Sequence, residues 1–330
     1  MSLLEPIRRI VHRSVQLSAL NFRRGQLLST LGIRRHQSGS TLLRIGVPAS
    51  IAYTLGCFED YLRYGGVEPG YLAGKHVIEV GPGDSLGVAL CFLAHGAASV
   101  TTLDRFHPDR DQDLVARVHA GMLERLPEKG RGRARAALEA FECGATDGPL
   151  RCLQRVSIER AARQLPAACA DLIVSRAVLE HVYDLDAAWA SMNTLLRPGG
   201  RMWHKVDLRA HGFFDWFHPL RFLCFGDRAW ERIASPDPTI NRARRHVYSD
   251  LCARANVRTK VLVTHVLGRD EILPHVPDLV RGVHYGEGDV ALLAALRPRL
   301  APRFRDLTDE ELLVTGIFLT TEAWPAGRMG

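Results

Sequence analysis

The chain lacks a long hydrophobic run. Its apolar stretches are short, such as residues 88–94, whereas a helix that spans a bilayer needs about 18 consecutive apolar residues. We therefore expect no membrane span. The seven cysteines are scattered and include no C-x-x-C pair, so no metal site is expected. Thiols in this pattern are typical of a reduced, cytoplasmic protein.

Strand-like and helix-like segments alternate along the middle of the chain. Strands are predicted at 75–80, 99–103 (ending at Asp104), 151–156, 171–175 and 201–206, helices at 85–95, 111–126 and 186–196, a solvated arginine-rich loop at 129–135, and two final strands at 257–266 and 316–321. Right-handed crossovers between such elements give a doubly wound sheet. The fold class is therefore α/β: a Rossmann-like, mostly parallel seven-stranded sheet with an antiparallel final strand pair and helical cap insertions at 208–256 and 268–312.

The turn after the first strand is rich in glycine. Gly81 and Gly83 let the backbone turn sharply and approach a ligand, and the next helix offers free N–H groups at its start. A nucleotide-type cofactor suits such a turn. A dinucleotide fingerprint needs G-x-G-x-x-G, but Gly87 comes one position late, and Glu79 stands where that fingerprint has an apolar residue.

With Glu79, Gly81 and Gly83, the turn resembles the first motif of class I S-adenosylmethionine-dependent methyltransferases, which reads acid-x-Gly-x-Gly-x-Gly. Ser85 takes the place of the third glycine. The later runs 171–175, 179–182 and 195–200 resemble the fourth strand of that family and the turn that follows it, so the likeness covers roughly residues 70–206. It implies S-adenosylmethionine as the cofactor.

The resemblance also implies a set of cofactor-binding residues. Asp104 would hold the ribose hydroxyls, a role shared with dinucleotide binders. Ser157 and Ile158 would line the adenine, with a simple strand end as an equal alternative, and the same alternative applies to Ser175 and Arg176. The full set is Glu79, Gly81, Gly83, Asp84, Ser85, Asp104, Ser157, Ile158, Ser175 and Arg176.

Four residues at or after the fourth and fifth strands are candidates for a general base. They are His181, His204, Asp207 and His211. Histidine titrates near neutrality and suits proton transfer. The structural alternatives are that His181 caps its turn and that His204 is a buried strand residue. Asp207 and His211 alone are too few to indicate a metal.

The acceptor expected from the sequence is a hydroxyl of a glycan or another small molecule. The segments around 206–211 and 241–244 resemble bacterial methyltransferases associated with polysaccharide synthesis. The Asn/Asp-Pro-Pro-aromatic run of enzymes that methylate exocyclic amines of bases is missing, so nucleic acid is not favoured. Two rival hypotheses are an NAD-dependent oxidoreductase and a non-catalytic binding protein on the same fold.

The net charge of +7 is concentrated at the N-terminus, where residues 1–40 hold seven arginines and a single acidic residue, Glu5. Apolar residues recur there at helical spacing, which predicts an amphipathic helix. That helix would pack over the cofactor site or lie on an anionic membrane surface, and a mitochondrial transit peptide looks similar. We expect three regions: this segment (1–40), a cofactor-binding methyltransferase core (41–207), and cap insertions with the last two strands (208–330).

Overall fold

A computed structural model describes residues 42–105, 111–210, 218–234, 240–254 and 257–322 of the chain. The predicted N-terminal helix and the candidate base His211 lie outside these residues. Within the described part, no helix is both long enough and apolar enough to cross a bilayer. All seven thiols are free, and those of Cys57, Cys91 and Cys252 are buried.

An eight-stranded sheet forms the centre of the fold. Its strands are β1 (His76–Val80), β2 (Ser99–Asp104), β3 (Leu150–Gln154), β4 (Ala170–Arg176), β5 (Leu196–Asp207), β6 (Arg258–Val266), β7 (Glu271–Val276) and β8 (Val314–Glu322). The order across the sheet is β3-β2-β1-β4-β5-β8-β6-β7. The first five strands are parallel, and β8 runs antiparallel to both β5 and β6. The Rossmann-like, doubly wound α/β prediction is confirmed.

Helices cover both faces of this sheet. They are α1 (Leu42–Gly65), α2 (Gly87–Ala94), α3 (Gln112–Arg125), α4 (Glu128–Glu142), α5 (Leu185–Leu195), α6 (Asp227–Ala234), α7 (Arg245–Arg254), α8 (Glu287–Leu296), α9 (Pro302–Arg305) and α10 (Asp309–Leu313). Short 3-10 turns at Ile158–Arg163 and Leu179–His181 follow β3 and β4. Both expected insertions contain helices, α6 and α7 in the first and α8 to α10 in the second.

The core has two parts because successive strand residues point to opposite faces. Val77 and Val174 pack with α1 to α4, and Leu90 and Phe92 of α2 are fully buried there. Ile78 and its neighbours on the opposite face pack with α5 and the cap helices. This alternation decides which helix each polar side chain of the central strands meets.

The arginine-rich loop predicted at 129–135 is wrong, because these residues belong to helix α4. Gly130 and Gly132 made the segment look like a loop. A Cβ at Gly130 would overlap the carbonyl of Ala94, so this glycine permits close packing of α4 against the end of α2. Arg131 donates to the carbonyl of Leu126 at 3.1 Å, which satisfies an acceptor between α3 and α4.

The sheet has one strand more than the seven predicted. β7 pairs antiparallel with β6 at the edge of the sheet. Pro274 interrupts its sequence pattern, and proline within a strand normally argues against a strand. At an edge the missing N–H faces away from the ladder, so the proline is tolerated there. This strand carries Glu271 and His275, both of which reach the functional region.

Candidate functional site

The turn after β1 has the geometry of a ligand cradle. Gly81 and Gly83 adopt φ angles of +69° and +68°, in the left-handed region that favours glycine. The Gly81 amide donates to the carbonyl of Leu103 at 2.8 Å, which ties the turn to the end of β2. A Cβ at Gly81 would collide with the side chain of Val178, in the segment after β4. The turn can therefore pack against Val178 only if this residue has no side chain.

Ser85 has a local role that accounts for its departure from the family motif. Its Oγ accepts from the amide of Gly87 at 3.1 Å, at the first residue of α2. The amide of Leu86 donates to Nε2 of His119 at 3.1 Å. Two of the free N–H groups at this helix start are thus satisfied by side chains. The neighbouring acids Glu79 and Asp84 are both buried.

The predicted ribose and adenine residues meet at the ends of β2 and β3. Asp104 ends β2 and is half-buried, and its carbonyl accepts from the amide of Val156 at 3.0 Å. Ser157 and Ile158 follow directly and begin a 3-10 turn, with Ile158 buried in the core. The carboxyl ends of neighbouring parallel strands meet at one edge of the sheet. That edge is where ligands bind in doubly wound folds.

Ser175 and His204 lie side by side on β4 and β5 and face α5. Their side chains are joined by a 2.7 Å hydrogen bond between Ser175 Oγ and His204 Nδ1. The His204 ring is fully buried, 6.2 Å from the ring of Trp189, and its Nε2 has no hydrogen-bond partner among the described residues. Burial lowers the pKa of His204 to about 3, so the ring is neutral. These are the properties of the buried strand histidine that was the structural alternative.

Arg176 points to the opposite face, into a charged network that the sequence did not predict. It donates to Asp60 of α1 at 2.8 Å and lies 5.2 Å from the ring of Tyr53. Asp60 also accepts from Lys205 of β5 at 3.0 Å, and Lys205 in turn pairs with Glu271 of β7. Although burial alone raises the pKa of Glu271, hydrogen bonds from His275 and Lys205 lower it to about 2. The network connects α1 and β7 to the ends of β4 and β5.

Titratable side chains collect where β4 and β5 end. The 3-10 turn after β4 carries Glu180, which is 1% exposed, and His181, which is half-buried. Burial, reinforced by the nearby Asp207 carboxylate, raises the pKa of Glu180 well above its usual value. Asp207 is bound by the guanidinium of Arg209, with contacts of 2.9 and 2.7 Å. Perturbed carboxyls of this kind are typical of functional sites.

Glu180 was missed as a candidate because the sequence does not show its burial. The cap closes over it: the amide of Asn241 donates to the Glu180 carbonyl at 2.6 Å. Asn241 Nδ2 also donates to the carbonyls of Leu179 and Val182, at 2.8 and 2.7 Å. Asn241 therefore fixes the turn that carries Glu180 and His181. Lys205, Asp60 and Glu271 were missed for the same reason, since they meet only in three dimensions.

Comparison with known proteins identifies the family of the chain. A family model described as a methyltransferase domain matches residues 57–256, which is more than half of the chain. No curated protein sequence matches the chain.

Among solved structures, the chain is similar to an S-adenosylmethionine-dependent methyltransferase from Mesorhizobium loti, with 14% identity, 80% of this chain and 97% of that chain covered, and a TM-score of 0.39. It is also similar to a phosphoethanolamine N-methyltransferase of Haemonchus contortus bound to S-adenosylhomocysteine. The identity is 10%, the match covers 83% of this chain and 53% of that chain, and the TM-score is 0.41. The family match covers β1 to β5 with the glycine turn, Asp104 and the turn after β4. The chain belongs to the methyltransferase domain family, and its cofactor is S-adenosylmethionine.

Proposed function

We propose that the protein transfers the methyl group of S-adenosylmethionine to a hydroxyl of a glycan or another small acceptor. The observation that supports a hydroxyl acceptor is the cluster of titratable groups, Glu180, His181 and Asp207, where β4 and β5 end. Val178, which contacts the cradle glycine, lies two residues before Glu180 on the same turn. The titratable cluster and the proposed methyl-donor site therefore adjoin.

A hydroxyl acceptor needs both positioning and removal of a proton. When bound, S-adenosylmethionine supplies a methyl group that is already activated for transfer. The protein has to hold the acceptor oxygen in line with that group, and such positioning supplies roughly 7 to 11 kcal/mol in favourable cases. A general base adds about 10² to 10⁴ in rate. Amine acceptors that are neutral at working pH have less need of such a base.

The sequence candidates differ in how an acceptor could reach them. His204 is fully enclosed, so its role in this proposal is to shape the site together with Ser175 rather than to touch the acceptor. Both carboxylate oxygens of Asp207 are engaged by the guanidinium of Arg209, at 2.9 and 2.7 Å, which limits their access to an acceptor. His181 is half-buried, so it is exposed enough to remain a candidate for the general base. His211 lies outside the described residues.

A labelled-methyl transfer screen tests the proposed function. The probes are methyl glycosides of hexoses and a catechol as hydroxyl acceptors, with matched amino sugars and a primary arylamine as amine acceptors. We expect label to enter hydroxyl probes and to form an alkali-stable methyl ether. Transfer to the amine probes alone would contradict the proposal while leaving the methyltransferase assignment in place.

Replacing Asp104 is expected to weaken cofactor binding. Asp104→Asn keeps the shape of the side chain but loses its charge, and a hydrogen bond to a charged group contributes about 1.5 to 3 kcal/mol. The Kd for S-adenosylhomocysteine should therefore rise tenfold or more in calorimetry. Asp113→Asn, at an exposed position in the first turn of α3, is the control and should bind normally. Equal affinities in the two variants would remove Asp104 from the site.

Peripheral membrane contact through residues 1–40 stays a prediction, motivated by their arginines and apolar spacing. Sedimentation with anionic vesicles, using the full chain and a variant without these residues, tests it. Release of the full chain as salt rises is the expected result, since screening weakens attraction to an anionic surface. Equal sedimentation of both proteins would reject it.

A further inference from the structure

A histidine on β6 lies at the same end of the sheet as Asp207. In the ladder between β5 and β8, Asp207 stands opposite Gly316, and in the ladder between β8 and β6, Gly316 stands opposite His265. Asp207, Gly316 and His265 therefore form a row across three neighbouring strands. β6 runs parallel to β5, so this row lies at the carboxyl edge that the proposed function uses.

An irregularity in β6 directs this histidine to the face of the sheet that packs with α1. Val263 packs on the opposite face, in the core with α5, and regular alternation would place residue 265 there too. The register shifts between Val263 and His265, as in a β-bulge. Bulges re-aim side chains and are enriched next to active sites. A Cβ at Gly316 would lie 3.4 Å from the Cβ of His265, which shows that the histidine extends over this glycine.

Gly316 leaves the space that the imidazole occupies. A Cβ there would lie 2.5 Å from Thr264 Oγ1 and 2.9 Å from His265 Nδ1, closer than real side chains approach. The φ angle of Gly316 is not in the left-handed region. Glycine is therefore needed here because a side chain would not fit, and not for its backbone conformation. Thr264 Oγ1 and His265 Nδ1 are 2.9 Å apart and hydrogen-bonded. This contact leaves Nε2 without a hydrogen bond among the described residues.

The surroundings favour a neutral ring. His265 is half-buried, and burial, with the positive charge of Arg209 after β5 as the next cause, lowers its pKa. Lys205 acts in the same direction, while the carboxylates of Glu271 on β7 and Asp207 on β5 oppose it. A half-buried imidazole that is neutral near physiological pH is a suitable proton acceptor.

We propose that His265 is the general base that takes the proton from the acceptor hydroxyl. The proposal rests on the proposed function. In the transfer, the acceptor oxygen bonds to the methyl carbon, the carbon–sulfur bond breaks with its electron pair going to sulfur, and the hydroxyl proton moves to His265 Nε2. The products are a methyl ether, S-adenosylhomocysteine and an imidazolium, which returns its proton to water. Thr264 acts as a positioning residue, because its oxygen accepts from Nδ1–H and leaves Nε2 free of a proton.

The kinetic test uses His265→Gln with the hexose glycoside or catechol probe that the wild type methylates best. We expect kcat to fall about 100-fold or more, with the Kd for S-adenosylhomocysteine unchanged. The wild-type rate should decline as pH falls through the lowered His265 pKa, because only the neutral ring accepts a proton, and the variant should lose this decline. Gly316→Ala should also lower kcat, by displacing the ring. His246→Gln, at a partly exposed histidine of α7, is the control and should keep the wild-type rate.

A second measurement does not depend on turnover. Nitrogen-15 NMR of the histidine rings in the free protein should show His265 with its proton on Nδ1 and a pKa below that of a free histidine. A proton on Nε2 would overturn the proposal. Full activity of a folded His265→Gln variant would also overturn the role of His265 as general base, while the proposed O-methylation would stand. Absence of transfer from the wild type to every hydroxyl probe would overturn the proposed function and this proposal with it.

Discussion

Gly81→Val is expected to abolish binding of S-adenosylhomocysteine. A β-branched residue at a φ of +69° is strained, because its Cβ crowds the neighbouring carbonyl. The new side chain would in addition collide with Val178, so either the glycine turn or the segment after β4 has to move. Both line the proposed site. We expect the Kd to rise more than about 100-fold in calorimetry and the ligand-induced rise in Tm to disappear.

Gly66→Val separates backbone strain from the loss of the cradle. Gly66 has a φ of +66°, and nothing lies within 4 Å of a Cβ built there. It follows α1 and precedes β1, so it stands at the opposite edge of the sheet from the cradle. This variant should lose stability by a similar amount of strain and still bind the ligand. Normal ligand stabilisation in Gly81→Val would show that the cofactor does not bind at this turn.

The methyl-donor end of the site could be predicted because its signals are local in sequence. About 30 residues contain, in order, a strand, the turn Gly81-x-Gly83, a helix and a second strand that ends at Asp104. The turns in this unit depend on backbone conformations that few residue types adopt, and its strands and helix follow from apolar periodicity. The limits of β1 and β2 follow from apolar periodicity for the same reason. Helix α3 begins after Asp111, whose side chain accepts from the amide of Leu114. The start of this helix could therefore also be predicted from the sequence.

The acceptor end could not be predicted, because its residues converge only through tertiary packing. Asp60 and Glu271 meet at Lys205 although more than 200 residues separate them in sequence. The buried state of Glu180 depends on Asn241 in the cap, and the direction of His265 depends on a bulge. A period-2 pattern cannot reveal a bulge, since one extra residue reverses the face of every later side chain. The same limitation applies to α4, where glycines that permit close packing resemble loop residues.

The cap arginines show how the fold supports this site. Arg242 and Arg244 lie in the segment 241–244, which resembles polysaccharide-associated enzymes in sequence, but in the structure both guanidinium groups are buried and bind carbonyls. Arg242 donates to the carbonyl of Phe225 at 2.5 Å and to the Asp227 carboxylate at 2.7 Å, and lies 4.7 Å from the ring of Trp230. These contacts hold the cap segment that carries Asn241. The described contacts of the two arginines are therefore structural.

Arg244→Met is expected to cause a large loss of stability. Arg244 is 1% exposed and donates to the carbonyls of Leu208 and Glu311 at 3.0 Å and of Leu312 at 3.2 Å, and also to that of Val314. It thus joins the segment after β5 to α10 and to the start of β8. Burial lowers the pKa of its guanidinium to about 10, yet the group stays charged at neutral pH. Methionine fills part of the volume but leaves these carbonyls buried without a donor.

Each buried acceptor left without its partner costs about 1 to 3 kcal/mol, so loss of the donor that serves several carbonyls should cost about 3 to 5 kcal/mol in total. Urea denaturation should therefore show a fall of that size in the free energy of unfolding, and Tm should drop by on the order of 10 °C. Arg254→Met, on the same helix α7, is the matched control. Its side chain is 63% exposed and pairs with the exposed Asp186 at 2.8 Å, an interaction worth about 0 to 1 kcal/mol near the surface. Similar losses in the two variants would mean that the buried carbonyl contacts of Arg244 do not hold the cap to the sheet.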